Sequence, residues 1–83
     1  MVDWNRFVPS DFEYDFENDK LASHHVAINE AIECFYSGYE VRRNKNYTDR
    51  FQLIGRTLGG RNLRIIFQLK RGNIVRIITG WPL

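Results

Sequence analysis

Two adjacent histidines and a late run of arginines are the side chains in this sequence with chemistry to offer. His24 and His25 each carry an imidazole. Such a group can take a proton from, or give one to, a ribose hydroxyl. A guanidinium can hold a phosphate through two parallel hydrogen bonds and stabilise charge that develops on it. Each residue also has a plainer role. A histidine between two helices can simply hydrogen-bond a helix end, and a single arginine can simply keep a face solvated. The arginines are therefore more informative as a cluster than one by one.

Other chemistries lack their residues. Gly55, Gly59 and Gly60 fall in strand and hairpin context, so no glycine loop is set to cradle a phosphate. One cysteine and two neighbouring histidines are too few for a zinc site. No Ser-His-Asp arrangement is legible, and the carboxylates of the first half are spaced like a solvated helix surface. The sequence calls for no metal and no cofactor.

The arginine cluster belongs to a larger asymmetry that the overall charge of +2 conceals. Residues 1–40 hold two basic and nine acidic side chains, a net of −7. Residues 41–83 hold ten basic side chains and one acidic, Asp49, a net of +9. Eight of the ten are Arg, which suits planar, bidentate recognition of phosphate or carboxylate. Either one part of the surface is electropositive, or the acidic half covers the basic half and neutralises it.

The elements that must position these groups follow from periodicity. Phe12-Glu13-Tyr14-Asp15 reads as a short extended piece ending in a helix N-cap at Asp15, with a short helix over 16–23. Ile28, Ala31, Ile32 and Phe35 lie on one face of a second helix. Gly38 stands where a left-handed C-cap is expected. The period then changes to two. Tyr39 to Arg43, Arg50 to Leu58, Arg61 to Leu69 and Ile74 to Trp81 read as strands. Turns are expected at Asn44-Lys45-Asn46, at Gly59-Gly60 and at Arg71-Gly72-Asn73. The fold class is α+β, with two short N-terminal helices packed on a four-stranded antiparallel meander.

Matching apolar positions across strands sets the register. A three-residue loop, Leu58-Gly59-Gly60, pairs Phe51 with Phe67 and Leu53 with Ile65, which a two-residue turn does not. The next hairpin, with Arg71-Gly72-Asn73 as its loop, sends Val75, Ile77, Thr79 and Trp81 to the core face. The opposite face then carries Arg50, Gln52, Ile54 and Arg56, then Asn62, Arg64, Ile66 and Gln68, then Ile74, Arg76 and Ile78. Arginines and amides alternate there around three isoleucines. That surface reads as a ligand face, with a second buried layer or a homodimer seam as the alternative.

Length and composition bound the rest. A chain of 83 residues is one domain with a small core. Six Phe, four Tyr and two Trp mark it as folded. No apolar run approaches the ~18 residues that span a bilayer. The start, Met1-Val2-Asp3-Trp4-Asn5-Arg6, does not read as a signal peptide. The cytoplasm is the expected compartment, without membrane association. Cys34, the only cysteine, falls on the apolar side of the second helix and reads as core packing.

From Phe12 to Thr79 the chain resembles the BrnT family of bacterial type II toxins. Four stretches carry the likeness: Phe12-Glu13-Tyr14-Asp15; His24-His25-Val26-Ala27-Ile28-Asn29-Glu30-Ala31; Arg50-Phe51-Gln52-Leu53-Ile54-Gly55-Arg56-Thr57 followed by Gly60-Arg61; and Arg76-Ile77-Ile78-Thr79. The resemblance implies a RelE/ParE-like fold, metal-independent cleavage of RNA, and an antitoxin protein that masks the basic surface. His24, Arg50, Arg56 and Arg76 are the positions it marks as catalytic. Ser23 stands where the family usually has Lys. Gly80-Trp81-Pro82-Leu83 stands where it continues into an acidic helix.

Two functions are therefore expected. The first is a toxin-type endoribonuclease. The second is a non-catalytic domain that binds RNA or a protein through the same face. In both, Arg50, Arg56, Arg64, Arg76, Gln52 and Gln68 contact the nucleic acid.

Overall fold

The structure is a computed structural model, and it describes residues 2–43 and 49–83. Seven elements follow in chain order: β1 (Asp11–Tyr14), α1 (Lys20–Ser23), α2 (Ile28–Glu33), β2 (Glu40–Arg43), β3 (Arg50–Arg56), β4 (Asn62–Lys70) and β5 (Ile74–Pro82). The strands form one sheet in the order β1-β5-β4-β3-β2. The turn expected at Asn44-Lys45-Asn46 lies outside the described residues.

The meander of β2 to β5 is antiparallel, as its hairpin loops require. The sheet as a whole is not: it has five strands and is mixed. The piece around Phe12 is a full strand, pairing parallel with β5 from Asp11 opposite Ile74 to Tyr14 opposite Ile77. Four residues are too few to show a period, and the pairing partner is more than sixty positions away, so nothing local announces the strand. Its alternation is nonetheless that of a strand. Phe12 and Tyr14 pack on the core, while Asp11 and Glu13 share the other face with Ile74 and Arg76.

Strand β1 displaces the start of the first helix. Asp15 does not cap a helix; its carboxylate accepts the N–H groups of Glu17 and Asn18 in a local turn. The cap is Asp19, which accepts from the N–H of Ala22 at 3.0 Å and from the Tyr14 hydroxyl. Helix α1 is one turn rather than the eight residues expected over 16–23.

Helix α2 begins where Glu30 reaches back to accept the N–H of Ala27 at 3.1 Å. Ala27 has no side-chain acceptor, so only this half of a capping box exists. The helix ends at Glu33. Phe35 and Tyr36 then donate to Ile32 and Glu33 in tighter turns, each at 3.0 Å. Gly38 is not left-handed. Positive φ occurs, among the described residues, at His25, Gly60, Gly72 and Asn73.

Glu30 is held by more than the cap. Arg61 Nη1 lies 2.9 Å from both its carboxylate oxygens and donates to the His25 carbonyl at 3.1 Å. The Ala27 N–H first, and Arg61 after it, keep the Glu30 carboxyl below its usual range. A carboxyl lowered on folding stabilises the fold above its ordinary value, and that stability is lost as pH falls through the lowered one. Urea titrations at falling pH are expected to show the wild type weakening across the carboxylate range. Glu30→Gln should lose less over the same interval.

The register of both central hairpins is the one that pattern matching gives. Phe51 opposes Phe67 and Leu53 opposes Ile65 across β3 and β4, with Gly60 at φ 89 closing the loop. Lys70 opposes Ile74 across the Arg71-Gly72-Asn73 loop. The core gathers Leu53, Leu63, Ile65, Phe67, Val75 and Ile77 under Leu21, Val26, Ala31, Cys34 and Phe35. Trp4 and Phe7 of the lead-in pack against it. Burial pushes the Cys34 thiol up to about 11, so at neutral pH it is a packed, protonated side chain.

One expectation fails in the second half of β5. Phe67 opposes Ile77 but Ile66 opposes Thr79, so Ile78 is an extra residue, a β-bulge. The bulge exchanges the two faces beyond it. Val75 and Ile77 face the core as expected, but Thr79 and Trp81 do not. Gly80 takes the core position instead, opposite Ile65. A Cβ there would lie 2.6 Å from Ile65 Cδ1 and 2.9 Å from the Arg64 carbonyl oxygen. Gly80→Ala is therefore expected to cost about 1–3 kcal/mol, because backbone must move. Thermal unfolding of the variant checks it.

Candidate nucleic-acid interface

Both helices and the aromatic lead-in lie on one side of the sheet. Among the described residues no element packs across the other side, although α1 reaches its edge through Lys20 and the His24 ring. None of Arg50, Gln52, Ile54, Arg56, Asn62, Arg64, Ile66, Gln68, Arg76, Ile78, Thr79 or Trp81 is buried. Cross-strand register arranges them in rows. One row runs Arg50, Gln68, Arg76, Glu13 from β3 to β1. The next holds Gln52, Ile66 and Thr79, with Ile78 beside it. The third runs Glu40, Ile54, Arg64, Trp81. Arg56 and Asn62 close the face at its far end.

The first row borders a cleft of about 220 Å³. Arg50, Gln68, Arg76 and Ile78 line it from the sheet; Asp15 and Asn18 line it from the β1–α1 connection and Lys20 from the start of α1. Two strand spacings separate the Arg50 and Arg76 backbones, about 10 Å, within reach of one phosphodiester segment by two long side chains. Three cations face one carboxylate in its lining. Asn18 hydrogen-bonds Asp15 through side chain and backbone, which keeps that carboxyl below its usual range, with Arg76 adding to the effect.

Part of the acidic half does neutralise the basic face, at the β1 side. Glu13 Oε1 accepts from Lys70 Nζ at 2.8 Å and lies 3.8 Å from Arg76 Nη1. Gln68 donates to Asp49 at 2.6 Å. On β2, Glu40 pairs with Arg42 at 3.1 Å. Elsewhere the balance differs: among the described residues Arg56, Arg64 and Lys20 form no ion pair. The Nε of Arg64 is buried and has no hydrogen-bond partner among those residues.

The residues singled out in the sequence thus fall in three places. Arg50 and Arg76 meet in the cleft. Arg56 lies six residues along β3 from Arg50, about 20 Å away, and lines a separate hollow with Ser37, Gly38, Ile54, Gly55 and Asn62. His24 caps the end of α1, one turn beyond Lys20, and its ring packs against Trp81 with centroids 5.9 Å apart. The four do not form a single constellation. Arg64, Gln52 and Gln68 share the open face with them. His25 sits at φ 60 in the interhelix turn, its carbonyl bonded by Arg61, which is a structural role.

Lys20, Asp15 and Asn18 were not legible as site residues, since only the unforeseen strand β1 brings their connection to the sheet edge. Trp81, expected on the core face, stands on the open one. Two features of the sequence mark the change of face: the doublet Ile77-Ile78 breaks the alternation, and Gly80 interrupts a strand.

No family model matches the chain, and no curated protein matches it. Among the described residues no helix is long and apolar enough to cross a membrane. No cluster of metal-ligating side chains occurs among them either.

Proposed function

We propose that the open sheet face is an RNA-binding surface. The observation that carries this reading is the placement of Lys20, Arg50 and Arg76 around one cleft, with Arg64 and Arg56 along the same face and in no ion pair among the described residues. Spaced cations on a flat, accessible sheet suit a chain of phosphates better than one small anion. Binding of this kind is salt-sensitive and largely indifferent to sequence.

A second reading adds cleavage, in the manner of a toxin-type, RelE/ParE-like ribonuclease, and a specific grouping favours it. His24 packs on Trp81, and Trp81 stands directly opposite Arg64. An imidazole to move a proton and a guanidinium to steady the phosphate are the groups that metal-independent cleavage needs. The order of the four BrnT-like stretches supports the same reading, and with it an antitoxin that would cover the face.

Labelled total RNA incubated with the protein in EDTA separates the two. Cleavage that His24→Ala abolishes while retention persists supports the ribonuclease. Retention without cleavage supports the binding module. Neither retention nor cleavage overturns the RNA reading and turns attention to an acidic protein or to a second copy seated on the isoleucines.

A further inference from the structure

We propose that Trp81 and Arg64 form a base-stacking subsite, so that the open face takes single-stranded nucleic acid and not a duplex. This rests on the RNA reading above and adds to it the form of the ligand.

The bulge at Ile78 turns a tryptophan out of the core and onto a surface otherwise made of cations, amides and isoleucines. Trp81 is partly exposed, touches the His24 ring, and stands opposite Arg64 in the β4–β5 ladder. Ile54 flanks Arg64 on the next strand, and Ile66 lies two positions along β4. Arg64 has no carboxylate to pair with among the described residues, and its Nε has no hydrogen-bond partner there. An indole and a planar guanidinium side by side offer two flat groups to a ligand that has a flat group of its own.

Charge complementarity selects a polyanion for this face, and the indole selects which kind. A base-free polyanion would use the arginines and leave Trp81 idle. The bases of a duplex stack on each other, which keeps them from a side chain projecting from a sheet. An unpaired base can lie on the indole while its backbone runs toward the cleft. From Arg64 to the Gln68 row is four residues of β4, about 13 Å. Aromatic stacking of this type is tolerant of base identity, because every base has a π face.

The test uses three probes on the full chain: a short oligouridylate, a blunt RNA duplex of equal length, and inorganic polyphosphate. Trp4 is packed among Phe7, Phe51 and Phe67, so a change in indole emission on binding reports on Trp81, and Trp81→Phe supplies the blank. The oligouridylate should quench the wild type. Trp81→Leu should bind it about tenfold more weakly. Trp81→Phe, which keeps an aromatic face, should restore most of the affinity. Polyphosphate should bind wild type and Trp81→Leu equally.

Equal loss of all three probes in Trp81→Leu, or no loss of any, overturns the stacking subsite. So does tighter binding of the duplex than of the single strand. Polyphosphate binding that Trp81 does not influence, together with single-strand binding that it does not influence, leaves the RNA reading standing and removes this inference alone. Failure of the wild type to bind any probe removes both.

Discussion

Replacing Phe67 by alanine is expected to destabilise the protein by about 3–5 kcal/mol, enough to leave much of it unfolded at physiological temperature. Phe67 is fully buried in β4, the central strand, and is the largest side chain to be so. Its ring stacks on Phe51 at 5.6 Å and meets Phe35 and Trp4 edge-on at 5.1 and 5.8 Å. It thereby ties together the sheet, the turn that follows helix α2 and the lead-in segment. Truncation removes the transfer energy of the ring and leaves a cavity walled by three other aromatic rings. A domain of this length has roughly 4–12 kcal/mol to lose in total. Urea denaturation should show a large fall in midpoint. An unchanged midpoint would mean that the aromatic cluster is not the keystone of the core.

The second large effect is on binding. Arg50→Glu with Arg76→Glu should weaken RNA binding about a hundredfold at moderate salt, with the fold intact. Both side chains line the cleft and neither is buried, but reversing Arg76 sets a carboxylate opposite Glu13, so a stability loss of about 1 kcal/mol is expected beside the larger effect on binding. Reversal removes two phosphate contacts and adds two repulsions. Arg61→Glu is the informative control. That guanidinium is engaged by Glu30 and the His25 carbonyl, so its loss should lower stability without touching RNA affinity in the fraction that remains folded. Anisotropy of a labelled RNA, read beside a circular dichroism melt, distinguishes the two outcomes.

What the sequence made legible was whatever depends on neighbours along the chain. Period two and the spacing of glycines located β3, β4 and β5, and the demand that Phe51 meet Phe67 fixed their register to the residue. The same reasoning puts Arg50, Gln68 and Arg76 on one face, and the structure sets them in one row. What stayed hidden depends on contacts between distant segments. Strand β1 is four residues whose pairing exists only because β5 offers an edge. Lys20 joins the cleft only because β1 delivers it there. The bulge at Ile78 is a single-residue insertion that reverses the face of everything after it, and a strict alternation carried through it sent Trp81 to the core. The charge asymmetry was real in composition, yet its effect is local. Glu13 pairs with Lys70 and Arg76 at the β1 margin, while Arg64 and Arg56 form no ion pair among the described residues.

The most direct test of the RNA-binding face is the salt dependence of affinity for a short single-stranded RNA, measured by anisotropy from low to moderate salt. Counterion release gives a slope of about −0.7 in log K against log salt for each phosphate neutralised on a single strand. Lys20, Arg50 and Arg76 together predict a slope of about −2 or steeper, made shallower by about 1.4 in the Arg50→Glu, Arg76→Glu variant. A wild-type slope near zero, or one that the double variant shares, would contradict the assignment of this face to RNA.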